Sequence, residues 1–185
     1  MQTATESSKR NIFLIGPMGV GKTTIGRTLA NQLHLEFIDS DHEIERRAGA
    51  DISWIFDVEG EPGFRDRETQ VIDDLSQRQG VLVATGGGSV IRPENRAFLQ
   101  ARGIVIFLDT TLEMQVKRTA KDKKRPLLQT GNPAAVLRAL KQTRDPLYNE
   151  IADIKVVVGE SSGKRVMSTI LKKLGELDYQ SPQPI

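Results

Sequence analysis

The stretch Gly16-Pro17-Met18-Gly19-Val20-Gly21-Lys22-Thr23 constrains this chain more than any other part of it. It has the form Gly-x-x-x-x-Gly-Lys-Thr. An apolar run at residues 11–15 precedes it, and helical spacing of Ile25, Leu29 and Leu33 follows it. The residue types have physical reasons. Glycines let backbone N–H groups turn inward and approach phosphate oxygens without a Cβ in the way. The helix N-terminus adds partial positive charge and unpaired donors. Lys22 can reach β- and γ-phosphates, and the Thr23 hydroxyl can ligate Mg²⁺. A chance match in a chain of 185 residues runs at roughly 1% or below. A purely structural glycine turn is therefore a poor competitor, and the loop predicts binding of a nucleoside triphosphate by Gly19, Val20, Gly21, Lys22 and Thr23. Thr24 has two open readings: a contact with the α-phosphate, or a place in the first helical turn.

A phosphate loop of this kind sits on a parallel sheet, and the rest of the chain has the matching alternation. Residues 36–39, 81–85, 104–108 and 154–158 read as further strands; 23–33, 42–48, 111–119, 134–144 and 163–177 read as helices. The continuous β-branched runs at 81–85 and 104–108 suit strands covered on both faces. Five strands separated by helices predict an α/β, three-layer P-loop fold with a five-stranded parallel sheet. One domain is expected over 11–177, with a disordered lead-in at 1–10 and a flexible tail at 178–185. Two segments interrupt the alternation: 50–67, with Trp54, Phe56 and Phe64, and the basic, Pro- and Gly-containing 121–133. Such insertions are where binding and closing segments usually sit; the plain alternative is a surface loop.

Composition narrows the function. The chain has no cysteine, which removes disulfides, zinc-thiolate sites and thiol catalysis and suits a reducing, cytoplasmic setting. With 26 basic and 24 acidic residues, its net charge of +2 argues against nucleic-acid binding. No apolar stretch approaches the ~20 residues that span a bilayer, so no membrane partner is expected. The first ten residues lack the pattern of a secretory signal.

A phosphate loop alone does not separate a kinase from a GTPase or a motor. The chain is short for a motor, and no Asn-Lys-x-Asp guanine-recognition segment is present. Asp39 and Asp41 flank Ser40 after the second strand, and residues i and i+2 of a strand share a face. One carboxylate could hold a magnesium-bound water and the other the acceptor hydroxyl; the alternative is that one or both cap the helix near His42. Gly86, Gly87 and Gly88 end the strand at 81–85, and close backbone approach to a ligand explains them better than a plain turn.

In order, the chain carries the phosphate loop, Asp39-Ser40-Asp41, Phe64-Arg65, Gly86-Gly87-Gly88, Arg125-Pro126-Leu127 and Arg144-Asp145-Pro146-Leu147-Tyr148. That series resembles the shikimate kinase family over roughly residues 11–174. The resemblance implies a nucleoside-monophosphate-kinase-like fold with a substrate-binding insertion at about 41–67 and a lid at about 118–133. It implies phosphorylation of the shikimate 3-hydroxyl by ATP, giving shikimate 3-phosphate and ADP on the route to chorismate and aromatic amino acids. Asp41, Arg65, Gly86, Gly87, Gly88 and Arg144 would then bind shikimate, with Lys22, Asp41 and Arg125 catalytic. Arg65 and Arg144 would grip its carboxylate, for which guanidinium forks are suited. Arg125, on the lid, would also bind ATP and neutralise the transferring phosphoryl group. Arg118 resembles the residue that lies against adenine; helix-surface solvation is its alternative. Mg²⁺ would be held directly by Thr23 and through water by Asp39, a position the family favours over Asp109. The family further implies a monomer. Trp54 and Phe56 either line the pocket or pack, and His34 and His42 lie in no motif. The rivals are another small-molecule kinase of this architecture, such as a gluconate kinase, and a non-catalytic ATP-binding module.

Overall fold

The computed structural model describes residues 11–120, 131–160 and 163–179. Its strands are β1 (Ile12–Ile15), β2 (Glu36–Asp39), β3 (Val81–Ala84), β4 (Ile104–Asp109) and β5 (Ile154–Val157). The helices are α1 (Lys22–Gln32), α2 (Ser40–Ala48), α3 (Ile52–Gln77), α4 (Pro93–Arg102), α5 (Leu112–Thr119), α6 (Pro133–Ile151) and α7 (Gly163–Glu176). The strands form one five-stranded sheet in the order β2-β3-β1-β4-β5, and every neighbouring pair is parallel. This is the expected α/β architecture.

Period-two alternation within the strands builds the layers. Ile12 and Leu14 of β1, with Ile104, Ile106 and Leu108 of β4, face a core shared with Leu29 of α1 and Val166, Ile170 and Leu174 of α7. Phe13, Ile15, Val105 and Phe107 face the opposite core, with Ile44 of α2, Ile72 and Leu75 of α3, Leu99 of α4 and Tyr148 of α6. Burying each such side chain contributes about 1.5–3 kcal/mol. Both faces of β1 and β4 are therefore apolar, and that is why the sequence shows continuous runs there.

Three elements differ from the sequence reading. Residues 52–77 form two helical segments joined at a kink, together labelled α3, instead of an irregular insertion followed by unassigned chain. Gly60 breaks it with φ 70° and ψ 179°, a backbone state that glycine adopts without a Cβ penalty. Pro62 falls just after that break, where a missing N–H costs no hydrogen bond. Helix α4 is absent from the sequence reading; Pro93 opens it, and only Asn95 and Leu99 are buried along it, so its apolar stripe is thin. Helix α6 continues through Pro146 to Ile151, although a proline normally predicts termination one residue earlier. Among the described residues, no helix is long and apolar enough to cross a membrane.

Candidate active site

The phosphate loop leaves β1 at Gly16, whose φ of 142° and position against the Leu108 carbonyl oxygen both require the absence of a side chain. At its far end Gly21 is the left-handed N-cap of α1. Lys22 is buried and folds back over the loop, donating from Nζ to the carbonyl oxygens of Gly16 at 2.6 Å and Pro17 at 2.8 Å. Helix α5 braces the loop from outside. Gln115 Nε2 donates to the Met18 carbonyl at 3.1 Å, and Arg118 donates to the carbonyls of Val20 and Gly159, each at 3.1 Å. Arg118 thus bridges the phosphate loop and the chain after β5. Thr24 is exposed in the first turn of α1.

At the carboxyl end of β2, Asp39 serves two neighbours. Its Oδ2 accepts from Thr23 Oγ1 at 2.7 Å, while Oδ1 accepts from the backbone N–H groups of Asp41 at 3.0 Å and His42 at 3.3 Å. Asp39 is therefore the N-cap of α2, and Asp41 lies in the first turn of that helix instead of on the strand. The expectation that both share a strand face does not hold. The helix begins two residues earlier than expected because the Asp39 carboxylate satisfies its first donors. Asp109 ends β4 in an ion-pair network, 2.8 Å from Lys141 and 3.2 Å from Lys155. Partial burial pushes its carboxyl up, but the two lysines more than offset this and hold it below its ordinary value.

The acceptor side is organised around the glycine turn after β3. A Cβ placed on Gly86 would sit 2.6 Å from Asp41 Oδ1 and 3.1 Å from Glu68 Oε1. One on Gly87 would lie 3.4 Å from the Met18 backbone nitrogen and 3.6 Å from an Arg144 terminal nitrogen. One on Gly88 would meet the Arg65 guanidinium, 2.5 Å from Nη1 and 2.7 Å from Cζ. Side chains here would fill the approach of Asp41, Arg65 and Arg144, which come from α2, α3 and α6. The turn is also tied down: Gly86 N–H donates to Ser40 Oγ at 3.1 Å, and the Tyr148 hydroxyl donates to the Gly87 carbonyl.

Electrostatics in this pocket centre on Arg65, which is 7% exposed. It forms a 2.7 Å ion pair with Glu68 and a 3.1 Å pair with Glu61. Burial pulls its pKa down, but two carboxylates outweigh burial and the pKa is raised. Glu68 is more deeply buried, at 1%. Desolvation pushes its carboxyl up to about 7; Arg65 opposes that shift and the nearby Asp41 charge adds to it. Sequence reasoning missed Glu68, although its place three residues after Arg65 on a helix is a readable i, i+3 pairing signal. It also assigned no role to Ser40 or Tyr148.

The remaining sequence candidates are dispersed. Trp54 is 52% exposed on α3, whereas Phe56 stacks on Phe64 with ring centroids 4.8 Å apart. Arg125 and most of the expected lid lie outside the described residues, as do the expected lead-in and most of the tail.

A parallel sheet, a phosphate loop and an adjoining pocket of carboxylates and buried arginines define a P-loop kinase with an anionic acceptor. The family model described as shikimate kinase matches residues 18–175. A shikimate kinase of Shewanella frigidimarina is 61% identical over 169 residues, spanning 91% of this chain and 99% of the relative. One from Vibrio cholerae is 62% identical over 170 residues, spanning 92% and 98%. The solved structure of a shikimate kinase from Acinetobacter baumannii, in complex with shikimate, superposes with a TM-score of 0.89 at 49% identity, covering 92% of this chain and 96% of that one. The chain belongs to the shikimate kinase family.

Proposed function

We propose that this chain transfers the γ-phosphoryl group of ATP to the 3-hydroxyl of shikimate, releasing shikimate 3-phosphate and ADP. The observation that carries the reading is the meeting of two buried arginines at the glycine turn beside the phosphate loop. Arg65 lies against Gly88 and Arg144 against Gly87, while Gly87 itself lies against Met18 of the loop. Two guanidinium groups in one partly desolvated pocket suit an anionic acceptor, because their forks match a carboxylate. Asp41, on the other side of the turn at Gly86, supplies the acceptor for ring hydroxyl protons.

Each residue then has a distinct task. Lys22 moves from the loop carbonyls to the β- and γ-phosphates, exchanging neutral acceptors for charged ones. The glycine-rich loop holds the phosphates on backbone N–H groups of residues 19–23. Arg65 and Arg144 fix the acceptor carboxylate, and Asp41 orients the attacking hydroxyl and takes its proton as the P–O bond forms. Arg118 borders the nucleotide side, between Val20 and Gly159. Arg125 is assigned neutralisation of the moving phosphoryl group by the family resemblance. Phosphoryl transfer relies mainly on positioning and charge neutralisation, so this division suffices.

Thr23 and Asp39 fit a hard cation: a hydroxyl and a carboxylate oxygen 2.7 Å apart at the mouth of the phosphate loop. Mg²⁺ would take Thr23 directly and Asp39 through water. When bound, the ion would draw charge from the β- and γ-phosphates. The described site is built from α1, α2, α3, α5, α6 and the turns that follow β1 and β3; action as a monomer rests on the family resemblance. The reading also carries a cytoplasmic location, where ATP is supplied. The test is ADP release with shikimate, gluconate and nucleoside monophosphates as acceptors. Turnover with shikimate alone is expected; preference for either of the others overturns the assignment.

A further inference from the structure

We infer that Tyr148 is a positioning residue for the acceptor: its hydroxyl holds the Gly87 carbonyl and thereby sets the glycine turn and Arg144 as one unit. The inference rests on the proposed shikimate phosphorylation for its kinetic consequences, but its geometry is independent of them. Tyr148 is 1% exposed, and its ring lies 5.0 Å from that of Phe107 on the interior strand β4. The hydroxyl is thus fixed from below by the sheet, with little rotational freedom. It donates to the Gly87 carbonyl oxygen, sixty-one positions away in sequence. Tyr148 and Arg144 are four residues apart on α6, so they stand on the same face of that helix.

The peptide geometry makes this contact consequential. A trans peptide is planar, so the Gly87 carbonyl and the Gly88 N–H point in opposite directions. Holding the carbonyl down to Tyr148 therefore aims the Gly88 N–H the other way. Two other donors of the turn are committed: Gly86 N–H goes to Ser40 Oγ and Ser89 N–H to the Gly86 carbonyl. A Cβ placed on Gly87 would meet the Met18 nitrogen at 3.4 Å and an Arg144 terminal nitrogen at 3.6 Å, ordinary contact distances, so the turn borders Arg144 directly. A rotation of this peptide would be felt at Arg144, on the acceptor side of the turn. Burial raises the pKa of the Tyr148 phenol, with the neighbouring Arg144 pulling it down, so the hydroxyl keeps its proton and stays a donor.

Tyr148→Phe keeps the ring and its packing and removes only the donor. In initial-rate measurements it is expected to raise KM for shikimate roughly tenfold, through the part-buried Gly87 carbonyl left without its donor. The KM for ATP and kcat should stay within about twofold, since Lys22 and Asp41 are untouched. Independently of any acceptor, amide hydrogen exchange of ligand-free protein should quicken in the segment 86–91. Unchanged exchange there overturns the inference, as does a parallel loss in every kinetic constant together with thermal stability. Failure of the unsubstituted protein to phosphorylate shikimate would refute the proposed function instead, leaving the exchange result to decide on Tyr148.

Discussion

Adding one methyl group at Gly88 should separate acceptor binding from nucleotide binding. In Gly88→Ala the new Cβ would fall 2.5 Å from Arg65 Nη1 and 2.7 Å from Cζ. Ordinary carbon contacts lie near 3.5–4.0 Å, so the guanidinium must retreat by about 1 Å. The backbone at Gly88 does not occupy the left-handed region, and the methyl group meets only the end of a long side chain. The fold should therefore survive, at a cost within the roughly 1–3 kcal/mol typical of overpacking. The functional cost is larger in proportion. Arg65 is pinned by Glu68 at 2.7 Å, so its retreat carries the fork away from the acceptor carboxylate. Losing one charge-assisted contact of about 1.5–3 kcal/mol lowers kcat/KM for shikimate by roughly 10- to 150-fold. The assay is coupled ADP release against shikimate concentration, with ATP affinity and thermal midpoint measured in parallel. A folded Gly88→Ala protein with normal KM for shikimate would refute the placement of the carboxylate at Arg65.

Other perturbations probe the neighbouring groups. Glu61 is half exposed and pairs with Arg65 at 3.1 Å, where it competes with an incoming carboxylate; Glu61→Ala should lower KM for shikimate, by at most about fivefold. A raised KM in initial-rate assays would reverse that view. Asp41→Asn should reduce kcat by about 10²–10⁴ while ATP affinity by calorimetry stays near normal; near-normal turnover would remove Asp41 as the base. Glu68 titrates at about 7 in the folded protein against an ordinary value of 4.5, so the folded state keeps a proton that the unfolded chain has already released. Its contribution to stability is thus full below pH 4.5 and declines as pH rises through about 7. Urea midpoints across that window should fall less in Glu68→Gln, and an equal fall in both proteins would contradict the assignment.

The phosphate loop and the parallel sheet were legible because each is local: a contiguous motif, and apolar runs only as long as a strand. The motifs single out candidate acceptor residues, yet they do not give their geometry. Asp39 and Asp41 look like neighbours on a strand, but the Asp39 carboxylate turns the chain into a helix between them. Glu68 was missed because Gly60 and Pro62 make the first part of α3 read as loop, and its i, i+3 spacing from Arg65 becomes a signal only once residues 64–68 are read as helix. Tyr148 stood in plain view after Arg144, but its partner is a backbone carbonyl on another element, and no local pattern encodes such a contact. Helix α4 lacked a strong apolar period for the same reason that it buries little. What the sequence conceals here is long-range pairing.

A crystal structure with shikimate and ADP would test the central claim most directly. The account predicts the acceptor carboxylate within hydrogen-bond reach of both Arg65 and Arg144, and a ring hydroxyl at Asp41 facing the phosphate loop. A ring bound elsewhere, or turned so that its carboxylate meets neither arginine, would contradict it.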